Sequence, residues 1–195
     1  MERNITLSQY RTIDLTMLAG ILAGCQILIH FAVTAWFPEQ LYVVSPVAAV
    51  TALVMMRWGP WSGLHAALGG VLYALLAGGN WEHILIYTAG NLLSMAALLI
   101  PGLLGRERVR SDAFLSMMFA LAVQAAMWLG RAGIALALGF APVACLGFIT
   151  TDILSGLFTL FIIWIVRRTD GLFEDQKTYL LRLREEQQAE RRDQF

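Results

Sequence analysis

The chain has 195 residues, of which 58% are hydrophobic and only 14% charged. Its mean hydropathy is +0.64. A soluble domain of this size needs more charge, so the composition indicates one compact polytopic membrane bundle. Zero net charge at neutral pH gives no bulk attraction to nucleic acid.

Six apolar segments are expected in chain order. The first runs from about Ile13 to Phe37, and the second, from about Leu41 to Met56, is short. Pro60 opens a third that reaches Ala77. The fourth runs from Trp81 to Ile100, the fifth from Ala113 to Leu138, and the sixth from Val143 to Val166. A helix needs about 20 residues to cross a hydrocarbon core of about 30 Å, so the second falls short unless it starts earlier or the bilayer thins. Arg3 and Arg11 precede a first span too long for a cleaved signal sequence. The fold class expected is therefore all-α: a six-transmembrane-helix bundle over residues 1–168. A cytoplasmic tail of residues 169–195 follows it.

That tail carries Leu172, Phe173, Gln176, Tyr179, Leu180 and Leu183 at helical spacing, with Lys177, Arg182, Arg184, Glu185 and Glu186 between them. After the break at Thr169-Asp170-Gly171 it is expected to form an amphipathic helix.

The loops set the direction. Arg57, Arg106, Arg108, Arg110, Arg167 and Arg168 share one side with Arg3 and Arg11 if the chain crosses six times. The opposite loops hold Pro38-Glu39-Gln40, Gly79-Asn80-Trp81-Glu82-His83 and Gly139-Phe140-Ala141-Pro142, without Lys or Arg. The positive-inside rule then places both termini in the cytoplasm. Trp36, Trp58, Trp61, Trp81 and Trp164 fall near span ends, where interfacial aromatics belong.

Of the fourteen Lys and Arg residues, Arg131 alone falls in the outer half of a span. A guanidinium at mid-helix costs roughly 2.5–3.5 kcal/mol on insertion scales. Three explanations are open: contact with a ligand, an ion pair with Asp152 or Glu82, or snorkelling to the outer surface.

Other polar residues fall on helical spacing. They are Gln26, His30 and Thr34 in span one, His65 and Tyr73 in three, and His83, Tyr87 and Asn91 in four. Gln124, Trp128 and Arg131 follow in five, and Asp152, Ser155 and Thr159 in six. Each set shares a helix face, and in lipid that face must turn inward. Interhelical hydrogen bonding is the plain account of any single member. Together, His30, Trp36, Glu82, His83, Tyr87, Trp128, Arg131 and Asp152 are expected to converge beneath the outer loops. They would form a pocket for a small, flat, polar molecule.

Span one carries two small-residue stripes, Ala19/Ala23 and Gly20/Gly24. Such stripes let another helix approach closely. Ala19, Ala23, Gln26 and His30 share nearly one azimuth, with the glycines about 100° away. A straight helix cannot turn the alanines to a partner and Gln26 to the interior.

Cys25 and Cys145 have neither CxxC nor metal-ligand spacing. No P-loop, HExxH or GxSxG occurs, and the scattered acids do not pair for catalysis. No metal site, no cofactor and no enzyme activity are expected. An outward pocket without an energy source, and without an inverted repeat, suggests a subunit.

In its length, six spans, inward termini, basic start (Tyr10-Arg11-Thr12-Ile13) and the Ala19-Ile21-Leu22-Ala23 region, the chain resembles the substrate-binding S components of energy-coupling factor (ECF) transporters. The resemblance implies a multi-pass protein of the bacterial plasma membrane that captures a vitamin or vitamin precursor from outside. It implies docking through Ala19 and Ala23 onto a transmembrane coupling subunit with two ATPases. The substrate site it implies comprises Trp36, Asn80, Trp81, Glu82, His83, Tyr87, Asn91, Trp128, Arg131 and Asp152. Two other classes remain open: a ligand-free membrane scaffold similar to the cell-shape protein MreD, and a small enzyme acting on lipid head groups. The scaffold would have a filled interior with Arg131 and Asp152 paired. The enzyme needs a metal or nucleophile cluster that the sequence does not offer.

Overall fold

The computed structural model describes residues 6–39, 42–169 and 171–193, and among these it is helical without a strand. Helix α1 (Leu7–Trp36) begins at a capping box, in which Thr6 and Gln9 each accept from the other's backbone N–H. Helices α2 (Val47–Trp58) and α3 (Ser62–Leu76) flank one 3₁₀ turn, Gly59–Trp61. Helix α4 (Trp81–Leu92) starts at Asn80, whose side chain accepts from the His83 N–H. It continues as 3₁₀ helix over Leu93–Leu98 into α5 (Leu99–Leu104). Pro101 has no N–H for the carbonyl one turn before it, and the helix tightens just ahead of it. The short α6 (Arg106–Ser111) leads to α7 (Ala113–Ala137), capped by Asp112. Helices α8 (Pro142–Thr150) and α9 (Ile153–Val166) are one apolar rod broken at Thr151-Asp152, and α10 (Gln176–Asp193) follows them.

Among the described residues, four stretches are long and apolar enough to cross a membrane: Leu7–Trp36, Trp81–Leu104, Ala113–Ala137 and Pro142–Val166. The protein is thus an all-helical chain compatible with membrane embedding. The second and third expected spans are different. Helix α2 has twelve residues, or about 18 Å at 1.5 Å per residue, well short of a hydrocarbon core. It starts at Val47 because Pro46 disfavours helix at Ser45, and residues 42–45 have no regular secondary structure. The expected start of that span, Leu41, lies outside the described residues. Helix α2 is buried nearly all round, which is why its sequence is apolar on every face. With Leu22, Phe119, Val123, Met127 and Ile163, its Met55 and Met56 form the main core.

Glycines set how closely the helices cross. A Cβ on Gly69 would lie 2.6 Å from Val47, so α2 and α3 fold back as a hairpin. A Cβ on Gly70 would lie 2.5 Å from the Tyr87 carbonyl oxygen. Gly90 and Gly130 do the same between α4 and α7, leaving α4 clamped between α3 and α7.

The basic end of the bundle is closed by the segment before α10. Arg57, only 5% exposed, grips Asp14 of α1 through Nε (2.9 Å) and Nη2 (2.7 Å). Its Nη1 donates to the Gly171 and Leu172 carbonyls at 2.8 and 3.0 Å. Trp58 Nε1 adds a 2.6 Å bond to Asp14. Phe173 is buried against Phe119, and buried Gln176 bonds back to the Gly171 carbonyl and accepts from Tyr10. Arg106 pairs with Asp175, and Arg110 with both Glu107 and Glu174. The expected amphipathic helix therefore begins only at Gln176. Of the break expected ahead of it, Asp170 lies outside the described residues, and Gly171–Asp175 form a docked plug.

Candidate functional site

At the opposite end, two features lie one above the other: a buried polar network and a cavity. The network starts on α3, where the Ala66 carbonyl accepts from Asn91 Nδ2 at 3.1 Å. Asn91 Oδ1 accepts from Arg131 Nε at 2.8 Å. Arg131 Nη1 meets Asp152 Oδ2 at 2.7 Å, with side chains 6% and 4% exposed. The same oxygen accepts from Gln124 Nε2 (3.0 Å) and Trp128 Nε1 (2.9 Å). Thr159 closes the chain on Gln124 at 3.4 Å.

Helical spacing produces this cluster. Gln124, Trp128 and Arg131 share one face of α7. Asp152 reaches it from the α8–α9 break, and Asn91 is brought within reach by the Gly90–Gly130 crossing. Three donors on one carboxylate oxygen are what let two charges stay in an apolar bundle. Asp152 Oδ1 is buried with no partner among the described residues. Above the guanidinium lies the Tyr87 ring, its centroid 4.8 Å from Cζ. Tyr73 and Phe148 pack on that ring at 4.5 and 5.8 Å.

The cavity, about 460 Å³, opens on the other side of the tyrosines. Its walls include Tyr73 and Ala77 at the end of α3, the Gly78-Gly79 turn, and Asn80, His83 and Tyr87 of α4 and its cap. The turn is shaped for this. Gly78 has φ +68°, and a Cβ on Gly79 would lie 2.8 Å from the His83 Cβ. Asn80 Oδ1 accepts from the His83 backbone N–H (3.1 Å) and sits 2.8 Å from His83 Nδ1. A smaller space of about 90 Å³ shares Tyr73 and Ala77 and continues toward Gln26, His30 and Tyr42.

A strap roofs that smaller space. The Val43 N–H bonds Thr151 O (2.8 Å), and Ser155 Oγ donates to Val43 O (3.2 Å) and accepts from Ser45 N–H (2.9 Å). Ser45 Oγ donates to Gln26 Oε1 at 2.9 Å. The connection between α1 and α2 is thereby fastened to the α8–α9 break, next to Asp152.

The ten expected site residues thus separate. Asn80, His83 and Tyr87 line the cavity. Asn91, Trp128, Arg131 and Asp152 form the network beneath it, with Tyr87 as the boundary. Glu82 is half-buried in the first turn of α4, 3.5 Å from Asn80 Nδ2, where its charge suits the helix N-terminus. Trp36 and Trp81 are 76% and 65% exposed and belong to neither. Of the three explanations for Arg131, the geometry is that of the ion pair with Asp152. Tyr73 was legible as a polar member of its stripe but not as a wall residue. Tyr42 and Ser45 gave no periodic signal, because their segment has no regular secondary structure.

On α1, Leu22 and Gln26 are buried, Ala19 and Ala23 half-buried, and Gly20 and Gly24 exposed with open space around them. The alanines share the inward azimuth of Gln26, as expected, and Ala19 borders a surface groove of about 230 Å³ with Leu64, His65 and Leu68. His65 Nε2 lies 3.0 Å from the Leu15 carbonyl, a structural tie between α3 and α1. No cluster of His, Cys, Asp and Glu among the described residues has a metal-binding arrangement. Comparison of the chain with protein families, with characterised proteins and with solved structures returns no match.

Proposed function

We propose that this protein is the membrane-embedded capture subunit of an ECF-type transporter. It takes a vitamin-sized molecule from outside a bacterial cell and releases it inward after docking on a coupling subunit with two ATPases. The observation that carries the reading is the cavity of about 460 Å³ walled by Tyr73, Asn80, His83 and Tyr87. Its size is that of a small-molecule site, and it combines aromatic faces with convergent hydrogen-bonding groups. It opens at the end of the bundle away from Arg57, Arg106, Arg108 and Arg110, which the positive-inside rule assigns to the cytoplasm. Six crossings, with α2 and α3 as a short inner pair, put both termini on that cytoplasmic side. The binding set of this proposal is Tyr73, Asn80, His83 and Tyr87, with Arg131 and Asp152 as its supporting floor.

One observation favours a second reading. Arg131 and Asp152 are paired directly at 2.7 Å, as a ligand-free scaffold resembling MreD would have them. Native mass spectrometry of the detergent-purified protein separates the two. A capture subunit retains a small molecule that is released on denaturation and lost in Tyr73→Ala and Asn80→Ala. A protein that carries none, and whose Tyr73→Ala variant changes assembly instead, is a scaffold.

A further inference from the structure

We infer that the molecule held in this cavity carries no net charge at neutral pH: a flat heterocycle bound by hydrogen bonds at its edges. The inference rests on the capture reading and narrows its substrate class. Burying an ion is expensive unless an opposite charge meets it. Among the described residues, no Lys, Arg, Asp or Glu lines the main cavity or the smaller space that shares Tyr73 and Ala77. The nearest buried charges, Arg131 and Asp152, pair with each other at 2.7 Å through Asp152 Oδ2, which leaves Oδ1 without a partner among the described residues. Tyr87 also covers Arg131 with its ring face, so an anion in the cavity would have an aromatic ring between itself and the guanidinium. Asp152 Oδ2 already holds three donors.

The walls are built for neutral partners. Asn80 Oδ1 lies 2.8 Å from His83 Nδ1, and the second ring nitrogen, Nε2, is a further hydrogen-bonding group. The Tyr73 and Tyr87 hydroxyls can donate or accept. Their rings, 4.5 Å apart and tilted by 41°, give aromatic surface to one side. His83 lines the main cavity and His30 the smaller space.

The test installs each sign of charge at Ala77, an exposed wall position common to both spaces. Wild type, Ala77→Lys and Ala77→Asp are purified, and the co-purifying molecule is quantified by native mass spectrometry. After release it is passed over anion and cation exchangers at pH 7. The expected result is a compound that neither resin retains, with occupancies in Ala77→Lys and Ala77→Asp that differ by less than about tenfold, since a guest without net charge has no net Coulombic response to the sign of a nearby charge. A compound retained by one resin overturns the inference and leaves the capture reading standing, as do opposite responses of the two variants. A wild-type protein that releases no small molecule overturns both.

Discussion

Gly130 of α7 lies directly against the Gly90 carbonyl of α4, so that a Cβ at position 130 would collide with it. A Cβ on Gly90 would in turn lie 2.6 Å from the Arg131 nitrogen. This crossing holds Asn91 beside Arg131 and Tyr87 over it. Gly130→Ala must push the helices apart, and overpacking of this kind costs about 1–3 kcal/mol. Gly133, on the same helix, has open space where a Cβ would stand, with nothing within 4 Å. Gly133→Ala should leave stability unchanged or raise it by up to about 1 kcal/mol, the usual helix preference for alanine. Thermal unfolding of the two variants in detergent should therefore differ in sign. Equal melting temperatures would mean that the crossing is slack.

The Arg131–Asp152 pair predicts a pattern that ligand contact alone would not produce. Removing one partner of a buried pair costs about 3–5 kcal/mol, because the other charge is stranded. Arg131→Met should be strongly destabilised. Adding Asp152→Asn should restore much of the loss, since an asparagine oxygen still accepts from Gln124 and Trp128 without a charge. A double variant no more stable than Arg131→Met would show that Arg131 acts independently of Asp152. A ligand contact for Arg131 would instead lower affinity in Arg131→Met with the melting temperature of the empty protein unchanged.

Hydropathy and spacing made the apolar rods and the inward polar faces legible, and Arg131, Asp152, Asn91 and Trp128 were found on that ground. Which groups meet across a bundle depends on helix crossings. These are set by glycines at 69, 70, 90 and 130 that carry no periodic signal of their own. For the same reason Arg57 read as an ordinary loop cation and Asp14 went unassigned, though they form a buried bidentate pair. The strap at residues 42–45 was hidden in an apolar run, since Tyr42, Val43 and Val44 suit helix and strand alike. Trp36 was expected at the site from its depth in the outer half of its span, and Trp81 as part of the outer segment that the resemblance implied. Each projects outward from a helix end, in keeping with the interfacial position that its aromatic type favours.

The plug at Gly171–Asp175, with Gln176 at the start of α10, should be part of the folded unit rather than a dispensable tail. Phe173 is fully buried against Phe119, and truncating such a side chain to alanine costs about 3–5 kcal/mol. A chain ending after Thr169 loses Phe173, the two carbonyls that satisfy Arg57 and the Gln176 contacts together. It should lower the melting temperature at least as much as Phe173→Ala. A chain ending after Leu183 keeps all of these and should melt like the full protein. If the shorter chain is as stable as wild type, the plug is bound too weakly to matter.

The two stripes on α1 separate docking from binding. Under the transport proposal, Ala19 and Ala23 meet the coupling subunit, which their half-burial on the Gln26 side of α1 permits only along that helix's open edge, where Ala19 borders the groove with Leu64 and Leu68. Gly20 and Gly24 point into open space, so Gly20→Leu and Gly24→Leu disturb nothing inside the protein. Vesicles holding the chain with its coupling subunit and ATPases should lose uptake by more than about tenfold when Ala19 and Ala23 become tryptophan, as expected when close helix approach through small residues is blocked. The isolated Ala19→Trp/Ala23→Trp protein should still retain its small molecule. The glycine variants should transport normally. The reverse pattern, with uptake lost in the leucine variants and kept in the tryptophan variant, would move the docking face about 100° around the helix, to the glycines.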